Sequence, residues 1–210
     1  MSAAWISCPP NLIPAPGQYL LAHADGSDAP LPASVFAADS RLDAFLAAPP
    51  LPADWIPGTR LRLRGPLGRG FSIPAKARRV ALASWTQNGA RLLPLIRTAL
   101  KQEAAITLLS DNPADELPLQ IEIQPLSALA DITRWADYLA MEVERENLPE
   151  LKEKLGMLDQ ARVQFEAQVL VSTPVACGGA AECGVCALQV NHGWRLACRE
   201  GPVFDLRDLI

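Results

Sequence analysis

The chain has 210 residues, half of them hydrophobic, with 19 prolines, five cysteines and a formal net charge of −4. That length allows one large domain or two small ones with an appendage, and the acidic balance argues against nucleic acid as a main partner. No apolar run approaches the roughly 18 residues of a membrane helix. The start, MSAAWISCPPNLIPAPG, lacks a basic region followed by an apolar core, so no secretory signal is expected and the expected location is the cytoplasm.

Residues 1–75 are rich in Pro, Ala and Gly. Tyr19-Leu20-Leu21 and the alternating Leu61-Arg62-Leu63-Arg64 read as half-buried strands, and Pro16-Gly17 and Pro57-Gly58 as turns. The expectation is a small β domain, an incomplete barrel; the alternative is a partly disordered Pro/Ala stretch over 24–56. From Arg78 the pattern changes. Val80 to Ala83 reads as a buried strand, and Leu92, Leu95, Ile96, Ala99 and Leu100 repeat at helical spacing. Ala105 to Leu109, Leu119 to Ile123 and Tyr138 to Val143 read as further strands. Asn147, Pro149 and Glu150 mark the start of a helix with Leu148, Leu151, Leu155 and Leu158 on one face. Arg162 to Ser172 reads as a last strand. Strands alternating with helices predict a parallel α/β sheet.

Four of the five cysteines fall in the last 34 residues, and in a reducing compartment such a cluster more often binds metal than forms disulfides. Five residues separate Cys177 from Cys183, two separate Cys183 from Cys186, and eleven lead to Cys198. Three thiols on one glycine-rich loop and a fourth from a returning hairpin suit a [2Fe–2S] cluster; the plant-type ferredoxin spacing is C-x4-C-x2-C…C, one residue shorter in the first gap. Gly178, Gly179 and Gly184 let the backbone wrap such a core. The hairpin reads as Cys186 to Val190, a turn at Asn191-His192-Gly193, and Trp194 to Cys198. Structural zinc is the main rival, but only one C-x-x-C knuckle is present; simple thiols are the other. His192 reads as solvated, Cys8 as no ligand, and Trp85 and Trp135 as core residues rather than electron relays.

Three stretches carry a family resemblance. Cys198-Arg-Glu-Gly-Pro-Val-Phe204 after such a loop resembles the end of the electron-transfer subunit of dihydroorotate dehydrogenase B. Pro16-Gly17-Gln18-Tyr19 resembles the family's first flavin-domain strand, and Gly65-Pro66-Leu67-Gly68-Arg69-Gly70-Phe71 its segment between flavin and nucleotide domains. The resemblance implies a ferredoxin-reductase-like, multi-domain α+β protein in reduced form. Its parts would be a small flavin-binding-like β domain (1–75), an α/β nucleotide-binding-like domain (76–172) and a [2Fe–2S] module (173–210). It further implies electron transfer to or from a flavoprotein partner, an FMN-type catalytic subunit, in a hetero-oligomer.

The departures from the family matter. Its Arg-Pro-x-Ser is Leu31-Pro32-Ala33-Ser34 here: Ser34 remains as a candidate FAD contact, but leucine cannot fork to phosphate oxygens as arginine does. The glycine turn expected after Val80 is replaced by Ser84-Trp85-Thr86-Gln87-Asn88, although a dinucleotide turn needs glycine for close backbone approach. The Cys-Gly-Pro expected near the nicotinamide is Ala140-Met141-Glu142. The balance is against bound FAD and against a complete NAD-dependent reductase. A non-catalytic scaffold with structural zinc or an idle cluster is the alternative. Gly178–Glu182 and Arg199–Phe204 are the expected partner contact, with Val203 and Phe204 either an apolar anchor inside it or simply cover for the cluster.

Overall fold

In the computed structural model, residues 3–86, 89–113, 117–156 and 165–209 are described. Five antiparallel strands come first: β1 (Ala4–Ser7), β2 (Tyr19–Ala24), β3 (Ala33–Arg41), β4 (Ala44–Ala47) and β5 (Leu61–Leu67). They pair in the order β1-β4-β3-β2-β5 and curl as a half-barrel around Ile6, Leu20, Val35, Phe45 and Trp55. Strand order thus reaches into 24–56, the stretch for which disorder was the alternative reading. Apolar residues at every second position make this possible, because β5 turns Leu61 and Leu63 inward while Arg62 and Arg64 face solvent.

Next come β6 (Arg79–Ser84), α1 (Leu93–Lys101), β7 (Ala105–Leu109), β8 (Ile121–Gln124), α2 (Leu129–Trp135), β9 (Tyr138–Glu144), α3 (Leu148–Gly156) and β10 (Glu166–Ser172). β10, β9, β6, β7 and β8 are parallel neighbours. Central β6 and β9 are almost wholly buried, as expected of strands covered on both faces. Val80 and Leu82 face α1 through Leu92, Leu95 and Ala99; Ala81 and Ala83 face α2 and α3 through Leu129, Leu151 and Leu155. The strand expected from Leu119 begins at Ile121, and Leu119 is fully exposed. The short helix α2 was not foreseen. Leu158 and the first residues of the strand expected from Arg162 lie outside the described residues.

The cysteine segment contains the hairpin β11 (Ala187–Val190) and β12 (Gly193–Leu196), then α4 (Ala197–Glu200), β13 (Val203–Asp205) and α5 (Leu206–Leu209). β13 pairs antiparallel with β10 and forms the edge of the α/β sheet. Leu188, Val190, Leu206 and Leu209 share a core with β9 and α3.

Candidate metal centre

After β10 the chain makes tight turns, with Gly178 N–H donating to Val175 O (3.2 Å) and Ala180 N–H to Cys177 O (3.3 Å). Gly178 and Gly179 take positive φ, 61° and 77°, and so does Ala181 at 62°. The last is a left-handed conformation costing a residue with a Cβ roughly 1–2 kcal/mol, and strain of this kind gathers at functional sites. Its effect is to turn backbone N–H groups inward. Those of Glu182, Cys183 and Ala181 lie near enough to the Cys177 sulfur to favour its thiolate, and Ala181 N–H acts in the same sense on Cys198.

These donors, Glu182 N–H foremost, pull the Cys177 thiol down to about 6. Burial, then the Cys186 side chain, pushes Cys198 up to about 12. The Cys177 and Cys183 side chains are electrostatic neighbours, as are those of Cys186 and Cys198, and Cys198 N–H lies 3.5 Å from Cys186 Sγ. Cys186 and Cys198 are buried, Cys177 is half-buried and Cys183 is exposed. Among the described residues, no three His, Cys, Asp or Glu side chains converge on one point as a single metal ion requires. The thiols lie instead as two linked pairs beneath inward-pointing N–H groups. This donor set fits a two-metal thiolate cluster, with one pair for each metal. Cys8 stands apart in the half-barrel core, and His192 is exposed at the hairpin tip.

The three motif stretches meet directly behind this loop. Phe71 N–H donates to Pro16 O (2.8 Å) and Arg69 N–H to Gly201 O (2.5 Å), and Gln18 Nε2 donates to Gly68 O (3.1 Å). Tyr19 Oη donates to Cys198 O (3.2 Å) inside the core. A Cβ on Gly68 would lie 2.6 Å from Pro202 Cδ and 2.7 Å from Gly201 O, so only glycine lets the two segments touch. The half-barrel and the α/β sheet also grip the loop from two sides, Arg64 Nη1 donating to Gly178 O (3.2 Å) and Arg145 Nη1 to Val185 O (2.6 Å). Tyr19, Arg64, Arg145 and Ala181 therefore support the centre. Sequence reasoning did not single them out for that role, although Tyr19 stood within a quoted motif.

Phe204 is 2% exposed and Val203 fully buried, both held in β13. The anchor reading is corrected: an apolar strand paired on the sheet lowers its energy most by joining the core. Among the described residues, Val185 (41%) and Trp194 (71%) are the exposed large apolar side chains near the cysteines.

Ser34 is on β3, paired with Leu21 of β2, and Leu21 Cδ1 lies 3.8 Å from where a Gly178 Cβ would stand. Tyr19, Leu21, Phe36, Ala90, Leu170 and Val203 pack between the two sheets. At the C-terminal ends of β6 and β9, Trp85 N–H donates to Glu142 O (3.0 Å), and the Trp85 ring packs on the core shared by α2 and α3. Glu142 is buried beside Arg91, Nη1 to Oε1 3.4 Å. Burial pushes its carboxyl above the ordinary range, and Arg91 and Thr86 oppose that. Gln87 and Asn88 lie outside the described residues.

A half-barrel followed by a doubly wound parallel sheet is the ferredoxin-reductase-like arrangement. The solved NADH-dependent reduced ferredoxin-NADP oxidoreductase, studied for flavin-based electron bifurcation, superposes at TM-score 0.71 and 17% identity, covering 98% of this chain and 83% of that one. The ferredoxin reductase of carbazole 1,9a-dioxygenase, in its FAD apo form, superposes at 0.53 and 15%, covering 79% and 61%. At these identities the likeness shows the fold, which is compatible with FAD.

Residues 174–210 match the iron–sulfur cluster binding domain of dihydroorotate dehydrogenase B. The electron-transfer subunit of dihydroorotate dehydrogenase B (NAD(+)) from Desulforamulus reducens is 27% identical over 174 residues. The alignment covers 70% of this chain and 64% of that subunit, so the chain spans under two thirds of the relative's length. The chain thus carries an iron–sulfur cluster binding domain on a ferredoxin-reductase-like fold. Among the described residues no helix is long and apolar enough to cross a membrane.

Proposed function

We propose that this chain is the electron-transfer subunit of a dihydroorotate dehydrogenase B-like enzyme and passes single electrons through a [2Fe–2S] cluster held by Cys177, Cys183, Cys186 and Cys198. The observation that carries this reading is the paired arrangement of the thiols under the N–H groups of Ala181, Glu182 and Cys183. Such a cluster, when bound, supplies a one-electron couple whose potential depends on hydrogen bonds to its sulfurs and on burial. The chain's part is to aim those N–H groups, keep Cys186 and Cys198 dry, and hold the loop between Arg64 and Arg145. The domain division at 1–75, 76–172 and 173–210 belongs to the same reading.

The other cofactor sites read as degraded. Leu31 stands where arginine would meet flavin phosphate, packed side chains fill the space between the sheets, and Trp85 and Glu142 occupy the nucleotide end. Electrons must then come from or go to a partner, and the partner proposed is an FMN-type flavoprotein subunit in a hetero-oligomer. Its contact face is the exposed side of the cysteine loop with Val185 and Trp194.

Iron, sulfide and zinc analysis with electron paramagnetic resonance of anaerobically purified protein tests this. Two irons and two sulfides per chain are expected, lost on Cys→Ser substitution at the four positions and retained in Cys8→Ser. Stoichiometric zinc without sulfide would instead support the scaffold reading. NADH should leave the isolated protein oxidised, while dithionite bleaches it.

A further inference from the structure

At the C-terminal edge of a parallel sheet, strand ends and helix N-termini together grip anionic ligands. Here that place already holds the Glu142 carboxyl group, whose side chain is 2% exposed. The Thr86 side chain and the Arg91 backbone N–H lie near it and favour its ionised form, and its Oε1 lies 3.4 Å from Arg91 Nη1. Thr86 is in the turn after β6, pinned by Ser84 Oγ at 2.9 Å from its hydroxyl and 3.2 Å from its N–H. Arg91 stands just before α1, and its guanidinium also lies 4.6 Å from the Phe36 ring of the half-barrel.

As a stabilising device this pair is poor. Desolvating two charges costs about what their attraction returns unless the remaining hydrogen bonds are filled. Arg91 Nε and Nη1 and Glu142 Oε2 have no hydrogen-bond partner among the described residues. The donors suit an oxyanion with more oxygens than a carboxylate offers, since a guanidinium, a backbone N–H and a hydroxyl are groups that hold phosphate.

We propose that Glu142 is an internal substitute for a ligand phosphate, so that a phosphate-sized oxyanion site is built from Thr86 and Arg91 and closed by the chain itself. This rests on the reading that the sheet no longer takes a pyridine nucleotide, and gives that loss a physical cause beyond the missing glycines. Trp85 narrows the turn, and Glu142 neutralises it.

The test uses the full, cluster-loaded protein and inorganic phosphate as the probe, against chloride at matched ionic strength. The wild-type melting midpoint should be the same in both salts. Glu142→Ala should lose more than about 5 °C in chloride, because Arg91 is left buried without its counter-charge, and should recover most of that loss in phosphate. Glu142→Ala combined with Arg91→Met should show no phosphate dependence. A Glu142→Ala protein as stable as wild type, one that phosphate does not rescue, or rescue that persists without Arg91 overturns the inference. Should Glu142→Ala fail to fold, Glu142→Gln keeps the shape and removes only the charge. It should lose a similar number of degrees, and a wild-type midpoint for it overturns the inference. Failure of these arms alone leaves the nucleotide reading standing, whereas tight NADH binding by the wild type overturns both.

Discussion

Replacing Gly68 by alanine places a methyl group 2.6 Å from Pro202 Cδ and 2.7 Å from the Gly201 carbonyl oxygen. Real Cβ atoms do not come that close, and neither neighbour is the free end of a flexible side chain, so backbone must move. Gly68 also has φ of 76°, where alanine costs roughly 1–2 kcal/mol. Relieving the overlap adds about 1–3 kcal/mol, for a total of about 2–5 kcal/mol and a fall in melting midpoint of about 4–20 °C. Gly26 supplies the control, because its φ is also 76° and a Cβ there meets nothing within 4 Å. Gly26→Ala should therefore lose only the conformational part, roughly 1–2 kcal/mol. A second effect separates the two variants. Gly201 directly follows α4, which carries Cys198, so pushing it away should loosen a ligand and speed loss of visible absorbance to an iron chelator. Circular dichroism melts and chelator time courses on both variants measure this. Equal destabilisation with equal chelator rates would refute the claim that the two glycine segments lock the centre in place.

Tyr19→Phe removes the donor to Cys198 O and leaves a buried carbonyl unmet, so the variant should lose about 1–3 kcal/mol by urea denaturation; no loss would mean water takes the hydroxyl's place. In the cluster-free protein the Cys177 thiol, held down to about 6 by Glu182 N–H first of all, is a thiolate above that pH and a thiol below it. Iodoacetamide at pH 7 should therefore modify Cys177 ahead of buried Cys186 and Cys198, and the rate should fall as pH drops through about 6, as peptide mapping would show. Trp194→Ala should weaken association with the flavoprotein subunit by at least about 1 kcal/mol without altering the cluster spectrum, and calorimetric titration giving unchanged affinity would remove Trp194 from the contact.

The amino-acid sequence by itself placed the four candidate ligands, because thiols of this spacing on a glycine-rich loop with a return hairpin have few other uses. It also marked the central strands of the α/β sheet, since Val80 to Ala83 and Tyr138 to Met141 are apolar runs that only a doubly covered sheet can bury. The three motifs stood out as local strings. Their meeting did not, because the hydrogen bonds joining Pro16 to Phe71 and Arg69 to Gly201 link residues remote along the chain. The helix Leu129–Trp135 was missed because seven residues hold too few turns for a 3.6-residue period to declare itself.

Phe204 shows the limit most clearly. Beside the ligands in the chain, it reads equally as a surface anchor or as cover, and only the pairing of Val203 and Phe204 with Val169 and Leu170 buries it. Arg91 and Glu142 are the same kind of case: 51 positions apart, each is an ordinary charged residue until β6 and β9 align and bring their charges into one dry place. Local chemistry is written along the chain, where neighbours are covalently fixed. Which surfaces face water, and which charges meet, is decided by long-range packing, because burial is a property of the assembled core.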